Sequence, residues 1–168
     1  MVLLPANSNI LPVAEQAAAL TGKVARVVPA CSIPEALAAL VAYEPDREAG
    51  ENAERMREAM AGVAAGEVTQ AVRAVTSPAG PVEAGDWIGL IHGDGIMAVA
   101  SSAVAAAIAT LDRLVTADRE LVTVIHGEGV GPAELGELRD WLGTARPDVD
   151  VEVHHGGQPL YPFLFGAE

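Results

Sequence analysis

A mixed α/β domain is the fold class that the sequence predicts: a largely parallel sheet, helices on both faces and a central antiparallel hairpin. Three observations lead there. Short apolar runs alternate with helical patterns at both ends of the chain, as parallel crossovers require. In the middle, His92-Gly93-Asp94-Gly95 joins two apolar runs, and Asp-Gly between such runs is a strong hairpin signal. The chain has 168 residues, 51% of them apolar, enough to bury one core, so residues 1–168 read as a single α/β domain.

Taken in order, Val2–Pro5 reads as a short buried strand. Asn7–Leu20 follows as a helix, with Ile10, Val13, Ala17 and Leu20 at three-to-four spacing and Gly22 ending it. Val24–Val28 is the second strand. Ser32 caps a helix whose first turn holds Pro34 and Glu35 and which runs to about Tyr43. Pro45 breaks it, and Asp46 caps a charged helix to Val63 with the stripe Ala49, Ala53, Met56, Met60 and Val63. Glu67–Val75 alternates like a half-buried strand, and Ser77–Pro81 is a loop. Trp87–Ile91 and Ile96–Ala100 form the hairpin. Ser101 or Ser102 caps a helix to about Val115, its inward residues Val104, Ile108, Leu111 and Val115. Leu121–Ile125 is a strand, Pro132 opens a helix that ends before Pro147, and Val149–Val153 and Leu160–Phe165 are the last strands. The final strand should bury Leu160, Phe163 and Phe165.

Charge and composition exclude several partners. The formal net charge is −13, so neither nucleic acid nor an anionic membrane surface suits the chain. The longest apolar tract, Ala98–Thr110, is shorter than a membrane span, and Met-Val-Leu-Leu-Pro lacks the basic start of a signal peptide. One cysteine, Cys31, allows no internal disulfide. A soluble, cytoplasmic protein without membrane insertion is expected.

Few residues are arranged for chemistry. Gly127-Glu-Gly-Val-Gly131 lies between a strand and a helix, where α/β proteins hold phosphates, but Pro132 replaces a fingerprint glycine and Glu128 repels an anion. A tight turn is the better reading. His92, His126, His154 and His155 all sit near strand ends, so two could converge on a ligand. No metal-ligand spacing is present among them. Cys31 stands at a helix start, where the dipole lowers a thiol pKa, yet no histidine is near it in sequence. No cluster of aspartates can hold Mg²⁺. Catalytic and metal-binding residues are accordingly expected to be none. Asn7, Ser8 and Asn9 after the first strand, and Pro29–Pro34 after the second, are two polar, proline-shaped loops. At neighbouring strand ends they would form one rim.

Five segments in order resemble one bacterial family. They are Leu3-Leu-Pro-Ala-Asn-Ser-Asn-Ile10, Val27-Val-Pro-Ala-Cys-Ser-Ile-Pro-Glu-Ala-Leu-Ala-Ala-Leu40, Gly66-Glu-Val-Thr-Gln-Ala-Val-Arg73, Gly85-Asp-Trp-Ile-Gly89 and Val151-Glu-Val-His-His-Gly-Gly-Gln-Pro-Leu-Tyr-Pro162. Together they resemble the C-terminal domain of the fatty-acid kinase catalytic subunit, long described as a dihydroxyacetone-kinase-like or "DAK phosphatase" protein. The resemblance implies a fold like that of DegV proteins and of the dihydroxyacetone kinase substrate domain. It also implies that the chain is the C-terminal part of a larger kinase polypeptide. ATP and Mg²⁺ would then sit on an N-terminal domain outside this chain, leaving no cofactor here. The partners implied are a DegV-type fatty-acid-binding protein, which presents the fatty-acid carboxylate for phosphorylation, and the kinase's own N-terminal and middle domains. The family usually carries a lysine where Ser8 stands, and Pro-Thr-Lys-Ser/Thr where this chain has Pro29-Ala-Cys-Ser32. The rim therefore lacks groups for direct anion binding.

The resulting expectation is a non-catalytic docking domain. Its partner-binding candidates are Asn7, Asn9, Ser32, His155, Gln158 and Tyr161: the amides both donate and accept, and tyrosine anchors interfaces. The alternative is a stand-alone small-ligand-binding α/β domain using the same strand ends.

Overall fold

The computed structural model describes residues 1–168 and falls into two compact units, Met1–Val63 and Ala64–Glu168. The single domain read from the sequence is thus built of two parts.

In the first unit, β1 (Val2–Leu3) and β2 (Arg26–Val27) pair in parallel, with Val2 opposite Arg26 and Leu3 opposite Val27. Both strands are shorter than expected because Pro5 and Pro29 follow closely and offer no N–H to a ladder. Three helices complete the unit: α1 (Leu11–Leu20), α2 (Ile33–Val41) and α3 (Ala49–Ala61). Helix α2 starts at Ser32, whose Oγ accepts from the Glu35 N–H at 3.3 Å. Ala53 and Met56 of α3 pack with Val28 and Ala39 into a small core, flanked by Val2, Leu4 and Met60. Asn52, fully buried, ties down the α2–α3 connection. Its Oδ1 accepts from the Glu44 N–H at 2.8 Å, and its Nδ2 donates to Glu44 O at 2.8 Å and Arg47 O at 3.2 Å. Asp46 does not cap α3, which begins after Glu48. The stripe expected to face inward on α1 does not: the helix has no buried residue, and Leu20 is 87% exposed.

The second unit is built on a six-stranded sheet. Its strands are β3 (Ala64–Gln70), β6 (Trp87–Ile91), β7 (Gly95–Ala100), β8 (Leu121–His126), β9 (Asp150–His155) and β10 (Phe163–Ala167). They lie in the order β7–β6–β3–β10–β8–β9. The mixed α/β class is as expected, but the balance of strand directions is not. Only β8 and β9 run parallel, joined by the crossover helix α5 (Pro132–Ala145); the other four pairings are antiparallel. The reversal comes from β10. The C-terminal strand inserts between β3 and β8, with Phe163 opposite both Val68 and His126. The β6–β7 hairpin lies at one edge of the sheet, not at its centre.

Helices are not found on both faces of this sheet. Helix α4 (Ala103–Leu114), capped by Ser102, and α5 share the face that carries Val122, Val124, Phe163 and Phe165, where the main core forms. The opposite face carries a second hairpin, β4 (Val75–Ser77) and β5 (Gly80–Val82), in place of the expected loop; its Val82 packs with Ala71 and Ile88. Gly89 lets α4 lie close, because a Cβ there would overlap Thr110 Oγ1. Phe163 and Phe165 are fully buried, their rings stacked at 6.0 Å. Leu160, expected in the same core, is 81% exposed: the ladder begins only at Phe163, after a turn that directs Leu160 outward.

A braced cleft as the candidate functional site

The second unit contains an open cleft of about 660 Å³. It is bounded by the end of β3 with Ala71 and Val72, the start of β6, the turn after β8, the first residues of α4 and α5, and the segment Leu160–Pro162. Trp87, Ile88 and Val130 give it apolar walls, and Glu128 and Glu134 are its acidic groups; no lysine or arginine lines it.

The segment between β9 and β10 is held in shape from several sides. Gln158 Nε2 donates to Ile125 O at 3.2 Å and to Tyr161 O at 3.0 Å. The Gly127 N–H donates to Pro162 O at 2.9 Å, and the Glu128 N–H to Gln158 O at 3.0 Å. Thr69 Oγ1 donates to Leu160 O at 2.9 Å. The Tyr161 N–H reaches Pro159 O at 2.8 Å across a three-residue turn whose central residue, Leu160, has φ +67°. That turn is uncommon, and for leucine it is strained. Gly127 permits the close approach of the two turns: a Cβ there would run into Gln158 O and stand 2.6 Å from Tyr161 O.

The glycine-rich turn after β8 is a structural βα turn. Its Gly127 and Glu128 N–H groups are engaged by Pro162 O and Gln158 O, and the Gly131 N–H donates to Glu134 Oε2 at 2.9 Å. The N-terminus of α5 is thus capped by its own carboxylate. With Glu128 exposed beside it, the cleft disfavours an anion.

The histidines divide by strand face. His126 and His155 are opposite each other in the β8–β9 register, ring centroids 4.9 Å apart, and His126 Nδ1 is buried without a hydrogen-bond partner. His154, on the other face, lies 3.4 Å from Glu152, and His92 lies 3.6 Å from Glu67. No group of three or more His, Cys, Asp or Glu side chains could hold a metal ion. Burial, and secondarily Glu35, push the Cys31 thiol pKa up, the reverse of the helix-dipole expectation. The Cys31 N–H donates to Glu35 Oε2 at 2.7 Å. Glu44 and Asp118 are held below the ordinary carboxylate range, chiefly by hydrogen bonds from Arg47 and Thr116 respectively.

Of the six partner-binding candidates, Asn7, Asn9 and Ser32 lie in the first unit. Because β1 and β2 are parallel neighbours, the loops carrying these residues leave the same end of the pair. Asn7 Oδ1 accepts from the Asn9 N–H at 2.8 Å and Ser32 is a helix cap, so two of the three side chains are already engaged locally. His155, Gln158 and Tyr161 lie in the second unit. Gln158 is a brace, with its amide N–H groups donated to backbone carbonyls. His155 is exposed beside His126, and Tyr161 stands at the cleft. Sequence reasoning missed Leu160, Val72 and Trp87 as cleft residues. The available signal was Pro159-Leu-Tyr-Pro162, two prolines closing a tight turn ahead of the strand.

All 168 residues match the family model for the C-terminal domain of FakA-like fatty acid kinases. The chain belongs to that family. It is 34% identical to protein YloV of Bacillus subtilis over 166 residues, and 35% identical over 167 residues to an uncharacterised protein of Staphylococcus aureus. Each match covers 99% of this chain but only 30% of the relative, so the chain spans about a third of the length of these relatives. Among solved structures, a DegV family protein from Eubacterium eligens loaded with heptadecanoic acid superposes with a TM-score of 0.61 at 12% identity, over 99% of this chain and 72% of the other. The dihydroxyacetone kinase from C. freundii, solved with AMP-PNP and Mg²⁺, gives 0.59 at 17% identity, over 99% and 38%. At these identities the likeness establishes a shared fold. No helix is long and apolar enough to cross a membrane.

Proposed function

We propose that this chain is the docking domain of a fatty acid kinase. It engages a DegV-type acyl-binding protein so that the fatty-acid carboxylate is phosphorylated by ATP held on another domain of the kinase. The family match over the whole chain carries this reading. The geometry supports it: the N–H groups of the glycine-rich turn are used internally, and the open cleft is apolar with two carboxylates and no cation. Such a site neither cradles triphosphate nor attracts a free fatty-acid anion. The domain therefore positions, and ATP with Mg²⁺ belongs to the kinase's own N-terminal domain, in the cytoplasm. The cleft volume also lies in the range of small-molecule sites, which favours a neutral or cationic apolar ligand as the second reading.

The test is calorimetric titration of the chain with an acyl-loaded DegV-type protein and, separately, with Mg-ATP. Saturable binding of the protein and none of the nucleotide is expected. Micromolar Mg-ATP binding, or no heat with the acyl-binding protein, would overturn the proposal.

A further inference from the structure

We infer that Leu160 is the apolar anchor of the docking surface, and that the partner segment seated over the cleft pairs an aliphatic or aromatic side chain with an adjacent lysine or arginine. This deepens the docking proposal and rests on it. Leu160 is 81% exposed, yet its backbone has a positive φ that leucine rarely adopts. Thr69 Oγ1 fixes its carbonyl, the Pro159–Tyr161 bond closes the turn around it, and Gln158 braces the next residue. Glycine would suit this backbone better, and the fold gains little from a side chain standing in water. Val72, 92% exposed, stands at the same cleft, whose walls are Trp87, Ile88 and Val130. An exposed apolar rim around an apolar floor fits a protein contact.

Charge selects the chemistry of the occupant. Glu128 is exposed at the cleft and forms no ion pair, and Glu134 also lines it. The second unit contains 15 Asp and Glu residues against 5 arginines and no lysine. A fatty-acid carboxylate or a phosphate would be repelled, whereas a basic side chain next to an apolar one meets both the carboxylates and the rim.

The experiment measures affinity for an acyl-loaded DegV-type protein alongside thermal stability for wild-type, Leu160→Gly and Glu128→Lys chains. Leu160→Gly should weaken binding by about tenfold or more while leaving the melting temperature equal or higher, a combination that a purely structural leucine would not give. Glu128→Lys should weaken binding several-fold and flatten its salt dependence. Wild-type affinity in Leu160→Gly, or a melting temperature that falls with the affinity, would overturn the anchor while leaving the docking proposal standing. Unchanged affinity in Glu128→Lys would overturn the basic-partner assignment. No binding by the wild-type chain would overturn the docking proposal and this inference together.

Discussion

Replacing Gly127 by alanine should be among the most damaging single-methyl changes in the second unit. The added Cβ would collide with Gln158 O and stand 2.6 Å from Tyr161 O, whereas ordinary contacts begin at 3.4 Å. Tyr161 O would have to withdraw by about 0.8 Å. Neither carbonyl is free to move, since Gln158 O accepts from the Glu128 N–H and Tyr161 O from Gln158 Nε2. Two hydrogen bonds at about 1 kcal/mol each, together with overpacking of about 1–3 kcal/mol, give a loss of about 3–5 kcal/mol. The control is Gly136→Ala in α5, where a Cβ meets nothing within 4 Å and should stabilise by about 0.5–1 kcal/mol. Urea unfolding followed by tryptophan fluorescence suits the comparison, because Trp87 and Trp141 both report on this unit. A Gly127→Ala midpoint equal to wild type would refute the idea that the two turns brace each other.

Phe163→Ala should cost about 3–5 kcal/mol by the same assay, because its fully buried ring sits in the main core beside Phe165. Asn52→Leu should destabilise the first unit by about 2–4 kcal/mol, since it strips three hydrogen bonds from the α2–α3 connection; far-UV circular dichroism on denaturant titration reads it. Cys31 should react with iodoacetamide more slowly than an unstructured thiol at neutral pH, because burial and Glu35 raise its pKa. The sign for stability follows: folding disfavours the thiolate, so this contribution is intact at neutral pH and declines as pH rises past the range of an unfolded thiol. A Cys31 rate equal to that of the urea-unfolded chain would contradict the assignment.

The sequence made the helices legible where local chemistry decides them. Ser32 and Ser102 cap as their positions suggest, Pro132 opens α5, and the Met56 and Leu111 stripes face their cores. Strand direction was less accessible, because it is a property of pairing between distant residues. Nothing local to Phe163–Ala167 says that it inserts between β3 and β8, and that single insertion turns the expected parallel sheet largely antiparallel. The same limit applies to Leu160. Its apolar character placed it in the core, but its exposure follows from Thr69, 91 positions earlier, and from Gln158 bracing the turn. Gln158 likewise looked like a free amide until the fold supplied Ile125 O as its acceptor.

Amide hydrogen exchange on this chain, with and without an acyl-loaded DegV-type protein, tests the central claim most directly, since it locates docking without altering a residue. The account predicts that complex formation slows exchange at residues 69–73 and 158–162, around Leu160 and the cleft. Protection confined to the loops of the first unit, or no change anywhere in the chain, would contradict it.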